Sequence, residues 1–243
     1  MRSFFCAGLV LALTLTATGG CSREPSRRTT PVDGLRYVQI PRGTFLMGSA
    51  PGEESQDVIL GRAKVTISRS FWISETEVSQ RAFRSVMGIN PSFFRGDNRP
   101  VEQVSWHEAR EYCSRVGGRL PTQAEWEYMA RAGTQSGRYG QLNEIAWWAG
   151  NSQRQTHSVA LKQPNAFGVY DALGNVTEWT ATLYGGVLKA GTDPQGPTDG
   201  PGPSLRGGAW DYPAESVQAW SPAWAGASDR LSTVGFRCVV DRF

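Results

Sequence analysis

The side chains able to do chemistry are few in this chain of 243 residues. His107 and His157 are its two histidines. A site of three imidazoles is therefore excluded, and a two-histidine, one-carboxylate iron site would have to take both. His107 falls in the first turn of a capped helix, a place that suits a surface or packing residue. Cysteine occurs at four positions, Cys6, Cys21, Cys113 and Cys238, and their roles depend on the redox compartment. Trp210-Asp211-Tyr212, with Glu215 close behind, sets a carboxylate and a phenol beside an aromatic ring. Such a group can move protons or hydrogen-bond a ligand, and structural hydrogen bonding is its ordinary use. The balance of 25 basic and 22 acidic residues leaves a net charge of +3, too small for a phosphate-backbone footprint, so nucleic acid is not expected as a partner.

The elements that would position these groups are short. Gly 28 and Pro 14 with nine Trp imply many turns held around aromatic anchors rather than a helical bundle. Tyr37 to Ile40, Thr44 to Met47 and Val65 to Ile73 read as strands, as do Leu205 to Trp210 and Val234 to Val240 near the end. Ser79 opens a helix over Gln80 to Met87. Ser105-Trp106-His107-Glu108 and Thr122-Gln123-Ala124-Glu125 are capping boxes, and Gly117-Gly118 ends the helix that the first one starts. Gly185 to Pro203 is a long Gly- and Pro-rich loop. The class expected is α+β, with no internal repeat.

Met1-Arg2-Ser3 and the apolar run from Phe4 to Thr18 have the proportions of an export signal, too short to span a bilayer. Gly19-Gly20-Cys21 resembles the lipobox of bacterial lipoproteins, although Thr18 stands where an aliphatic residue is usual. The expectation is a signal peptide over 1–20 and a lipidated Cys21. Ser22 after the cysteine points to the outer membrane of a bacterial envelope, facing the periplasm. Residues 21–36, polar and rich in arginine, read as the lipidated end and a tether, and 37–243 as one domain.

Within that domain a series of blocks resembles the formylglycine-generating enzyme (sulfatase-modifying factor) family. They are Gly43 to Ser49, Glu77-Val78-Ser79, Pro100-Val101 with Val104-Ser105-Trp106, and Gly118 to Thr122 with Glu125 to Tyr128. Asn165, Gly168, Tyr170, Gly174-Asn175-Val176, Glu178-Trp179, Arg206-Gly207-Gly208 and Gly235-Phe236-Arg237 follow in the same order. The resemblance implies an irregular α+β fold related to C-type lectins. It also implies a departure. The aerobic enzymes of the family bind copper(I) through two cysteines after the Arg-Gly-Gly motif, and Tyr212 and Val217 occupy those positions, so no copper is expected. Ser221-Pro222-Ala223-Trp224 stands where the family often has an arginine. The chain is most similar to an exported branch that lacks the cysteine pair.

Several expectations rest on that resemblance. Cys113 and Cys238 would form a disulfide, the alternative being a reactive thiol. Asp171, Gly174, Val176 and Glu178 would hold a structural calcium ion. Asp211, Tyr212 and His157 are cleft candidates for catalysis. Trp72, Trp106, Trp126 and Trp179 lie in fold-defining motifs, while Trp147-Trp148, Trp220 and Trp224 could stack on a ligand. The activity implied is a divergent oxidoreductase acting on a peptide-derived or small periplasmic substrate. The other reading is a non-catalytic lipoprotein that binds a ligand or helps assemble a periplasmic protein.

Overall fold

A computed structural model describes residues 24–50, 52–53, 61–185 and 189–243. Cys6, Cys21, the export signal and the expected lipid site lie outside the described residues. Among the described residues no helix is long and apolar enough to cross a membrane.

In chain order the strands are β1 (Arg27–Thr29), β2 (Arg36–Ile40), β3 (Gly43–Gly48), β4 (Arg62–Ile67), β5 (Phe71–Ser74) and β6 (Thr177–Leu183), followed by β7 (Gly191–Thr192), β8 (Pro203–Arg206), β9 (Ala223–Trp224), β10 (Val234–Gly235) and β11 (Val239–Val240). They form three sheets, with orders β1-β2-β5-β11, β10-β6-β8-β9 and β3-β4-β7. Helices α1 (Gln80–Met87), α2 (Trp106–Arg115) and α3 (Gln123–Arg131) stand between β5 and β6.

The helix starts follow from the capping residues. Ser79 accepts a hydrogen bond from Ala82 N, and both capping boxes close in the two directions expected of them. After α2 the two glycines do different work. Gly117 takes φ of 81°, which favours glycine, and a Cβ on Gly118 would meet the Val239 carbonyl at 2.2 Å. The close approach lets Arg119 and Val239 exchange backbone hydrogen bonds.

Three sequence expectations change. Val65 to Ile73 is two strands, β4 and β5, with Ser68 to Ser70 turning between sheets. Leu205 to Trp210 stops as β8 at Arg206, because Gly207 and Gly208 turn out of the strand with φ of 101° and 76°. Val234 to Val240 is divided, β10 pairing in parallel with β6 and β11 antiparallel with β5. Arg237, between them, thereby crosses from one sheet to another.

The expected tether is also partly folded. β1 pairs with β2, Arg27 Nε bonds Glu75 at 2.8 Å, and Asp33 accepts the hydroxyl of Tyr112 at 3.0 Å. An edge strand of arginines shows no apolar alternation, so its pairing was invisible in the pattern. Cys113 and Cys238 form the disulfide, with Cα atoms 5.5 Å apart, joining α2 to the last strands. Both are fully buried. Closing a separation of 125 residues stabilises the fold by about 4–5 kcal/mol in the chain-entropy account.

Candidate functional site

The buried crossing between β5, β6 and the β10–β11 link holds a cluster of buried charges. Glu178 on β6 and Arg237 are each no more than 1% exposed. Arg237 Nε reaches both Glu178 oxygens, at 2.9 and 2.7 Å, and Nη2 reaches Oε1 at 2.7 Å. Its remaining donors go to the carbonyls of Ser74, Tyr170 and Asp171. Trp126 Nε1 donates to Glu178 Oε2 at 2.7 Å. Glu77, also fully buried, accepts from Asn175 Nδ2 at 2.7 Å and from Val176 N at 3.1 Å. Asp171 accepts from Ala160 N at 2.6 Å, at a residue with φ of 51°.

Of the three buried carboxylates Glu178 alone bonds the guanidinium, while Glu77 and Asp171 interact with it through charge. Burial raises the Glu77 acid well above the ordinary carboxylate range, and the neighbouring charges of Asp171 and Glu178 raise it further. Burial likewise raises Asp171 to about 6, with the Ala160 amide and Arg237 pulling the other way.

As arranged, the predicted calcium set does not fit the ion. Glu178 is occupied by Arg237 and the Trp126 indole, and Asp171 aims one oxygen at a backbone amide. A calcium ion would have to draw Glu178 away from the guanidinium.

His157 lies beside this crossing. Its N–H donates to Asn175 Oδ1 at 2.9 Å, and Asn175 Nδ2 reaches the His157 carbonyl at 3.2 Å. The imidazole stacks on Trp147 with centroids 3.8 Å apart, and Nε2 donates to the Ser152 carbonyl at 2.7 Å. Lys162 Nζ stands 3.8 Å from the centroid of the same indole. Burial lowers the His157 pKa, as do the charges of Arg99 and Lys162. Burial favours the neutral ring and the Nε2 proton is engaged by Ser152, an arrangement that suits packing better than proton transfer.

The segment after Gly207-Gly208 is where thiols would do redox chemistry. Val217 is fully buried in the same apolar cluster as Trp126, and a Cβ on Gly208 would come within 3.0 Å of its Cγ2. Tyr212 is half-buried against that cluster, and burial raises its pKa, with the Asp211 charge adding to the effect. Asp211 is exposed. Ser152 links His157 to this segment, since its hydroxyl donates to the Trp210 carbonyl at 2.7 Å. The three cleft candidates are neighbours through backbone groups, with no direct bond between their side chains. His107 is exposed, Trp72, Trp126, Trp179 and Trp220 are buried, and Trp224 is 49% exposed.

Comparison with known proteins matches residues 22–242 to the sulfatase-modifying factor enzyme 1-like domain. The chain belongs to that family. It is similar to the chaperone protein LppX of Paenibacillus barcinonensis, 30% identical over 232 residues, covering 70% of this chain and 79% of LppX. It is also similar to the formylglycine-generating enzyme of Mus musculus, 32% identical over 184 residues and 65% of this chain, and spans about half (49%) of that enzyme's length. Among solved structures, Treponema denticola variable protein 1 superposes with a TM-score of 0.79 at 27% identity, covering 90% of this chain and 99% of that protein. The irregular mixed α/β architecture is that of the family.

Glu77, Asn175 and Arg237 lie within motifs, but the motifs do not show that they meet. For Arg237 the available signal is a charged residue inside the apolar run Val234 to Val240; Glu77, among Glu75, Thr76 and Ser79, carries no such signal. A second buried network, Glu127 with Arg131 and Arg206, is not shown by them either, although the first pair has the helical spacing of four.

Proposed function

We propose that this chain is a non-catalytic envelope lipoprotein of the sulfatase-modifying factor family, which binds an exported polypeptide and assists its folding or assembly. The observation that carries the reading is Val217. The position that should hold the second reactive thiol is a hydrocarbon side chain sealed in the core, and Tyr212 fills the first. The described cysteines are joined to each other, so neither supplies a thiol in their place. Similarity to a chaperone protein over 79% of that protein's length supports the same reading.

The divergent oxidoreductase finds less support. Asp211 is open to solvent, His157 is locked on Trp147 and Ser152, and neither is bonded to Tyr212.

A complementation experiment decides between them. A strain lacking the chain is expected to lose the folded form of one or a few envelope proteins with their transcripts unchanged. The Asp211→Asn/Tyr212→Phe variant is expected to restore them. Failure of that variant, together with conversion of a sulfatase-type cysteine peptide by the purified protein under oxygen, would sink the proposal.

A further inference from the structure

The face where the chain enters the fold carries arginines that nothing in the described structure neutralises. Ser26, just before β1, accepts a hydrogen bond from Gln39 N at 3.0 Å. Gln39 lines a shallow depression of about 530 Å³ together with Pro41, Arg42, Ser68, Arg69 and Ser70. Gln39 is paired in register with Trp72, and the Arg28 guanidinium sits 5.4 Å from the centre of that indole. Arg42 and Arg69 thus line the depression itself, and Arg28 stands beside it over Trp72, the strand partner of Gln39.

The contrast with their neighbours is chemical. Arg27 and Arg36 are both paired with Glu75, at 2.8 and 2.7 Å. Arg28, Arg42 and Arg69 are exposed and form no ion pair among the described residues. Asp193, close by, is bound by the backbone N–H and hydroxyl of Ser68.

Distance supplies the second observation. Five positions separate Cys21 from Ser26 (26 minus 21). At full extension they reach no more than about 18 Å, roughly two to three times the depth of one headgroup layer. A domain held on so short a leash by Cys21 must keep its entry face close to the bilayer, and that face bears the three arginines.

We infer that the Arg28–Arg42–Arg69 face is a docking surface for the phosphates of anionic phospholipids. Guanidinium groups stay charged at every physiological pH and present forked donors to phosphate oxygens. An open, shallow depression admits a headgroup from a plane, whereas capture of a small free anion would call for an enclosed one. The inference rests on the lipid-anchor reading for its setting, but the face can be tested without it.

The full chain carrying Cys21→Ser, so that no acyl group is attached there, is mixed with vesicles of phosphatidylglycerol in phosphatidylcholine or of phosphatidylcholine alone. The same chain with Arg28→Gln, Arg42→Gln and Arg69→Gln added is the comparison. All other residues are shared, so the difference reads the three arginines. Their loss is expected to weaken partitioning onto the anionic vesicles on the order of a hundredfold, and to change nothing on the neutral ones. High salt is expected to abolish the difference, and inorganic phosphate at matched ionic strength is expected to leave it in place. Equal partitioning of the two chains on anionic vesicles overturns the inference, as does an equal loss on neutral ones. Loss of the difference in phosphate alone assigns the face to a free anion and overturns it too. The anchor is read separately from the intact mass of the wild-type mature chain. Absence of an acyl group there refutes the anchor while the vesicle comparison still decides the face.

Discussion

The crossing around Arg237 and the segment from Gly207 to Val217 both lie in family motifs, and they are built in opposite ways. At the crossing every charged group is buried and bonded: Glu178 to Arg237 and Trp126, Glu77 to Asn175 and Val176, and Asp171 to Ala160. Along the segment the polar groups face outward or half outward, and the position nearest the core is the hydrocarbon Val217. Glu77 and Asp171, both raised by burial, are thus each held by hydrogen bonds within the crossing. The crossing is complete although Tyr212 and Val217 supply no thiol to the segment, so the fold does not depend on a thiol pair there.

The comparison can be broken at its strongest joint first. Cys113→Ser with Cys238→Ser is expected to lower the unfolding free energy by about 4–5 kcal/mol in urea titrations, since the cross-link restrains a long stretch of unfolded chain. A loss under about 1 kcal/mol would mean that the noncovalent crossing alone holds the last strands. Arg237→Ala leaves Glu178 without its counter-charge and is expected to cost about 3–5 kcal/mol or to abolish folding. Arg237→Lys distinguishes lost charge from lost shape. It keeps the charge without the fork and is expected to recover part of the loss.

Asp171 gives the comparison a sign. Its acid is raised in the folded state to about 6. The protonated form is the one folding favours, so its contribution is complete below the unfolded value near 3.9 and is lost as pH rises through about 6. Asp171→Asn is therefore expected to stabilise the protein at pH 8 by up to about 3 kcal/mol relative to pH 4, measured with chelator present. The expected outcome also includes a melting midpoint that calcium does not change. A midpoint that rises with calcium would show Glu178 leaving Arg237 for the ion and would restore the predicted site.

The smallest effects belong to the segment. Asp211→Asn and Tyr212→Phe are each expected to move stability by no more than about 0.5 kcal/mol, because neither side chain is buried in a satisfied network. A loss of 2 kcal/mol or more from either would place that residue in the architecture after all.

Much of the fold was legible from local signals. Ser79, Ser105 and Thr122 mark the starts of the three helices to the residue, and Gly117-Gly118 follows the end of α2. The ordered motifs carried the family and the disulfide. Less of the site could be read. Asp171 and Glu178 looked like oxygen donors for a cation, and nothing within a few residues of Glu178 announces that its counter-charge comes from Arg237, 59 positions away. Nor does the pattern of Val234 to Val240 show a break between sheets, since a run of apolar residues suits one strand as well as two.

Capping, left-handed turns and close glycine contacts depend on hydrogen bonds and sterics spanning three or four residues, so the order of amino acids was enough to place them. The same holds for what residue type forbids: two histidines cannot make a three-imidazole site, and tyrosine and valine cannot make a thiolate pair. Which acid meets Arg237, how β10 and β11 part company and that β1 joins the domain depend on contacts between distant segments. Those contacts arise when the core forms and closes around a charge that must then be neutralised inside it, a condition that no short stretch of the chain contains.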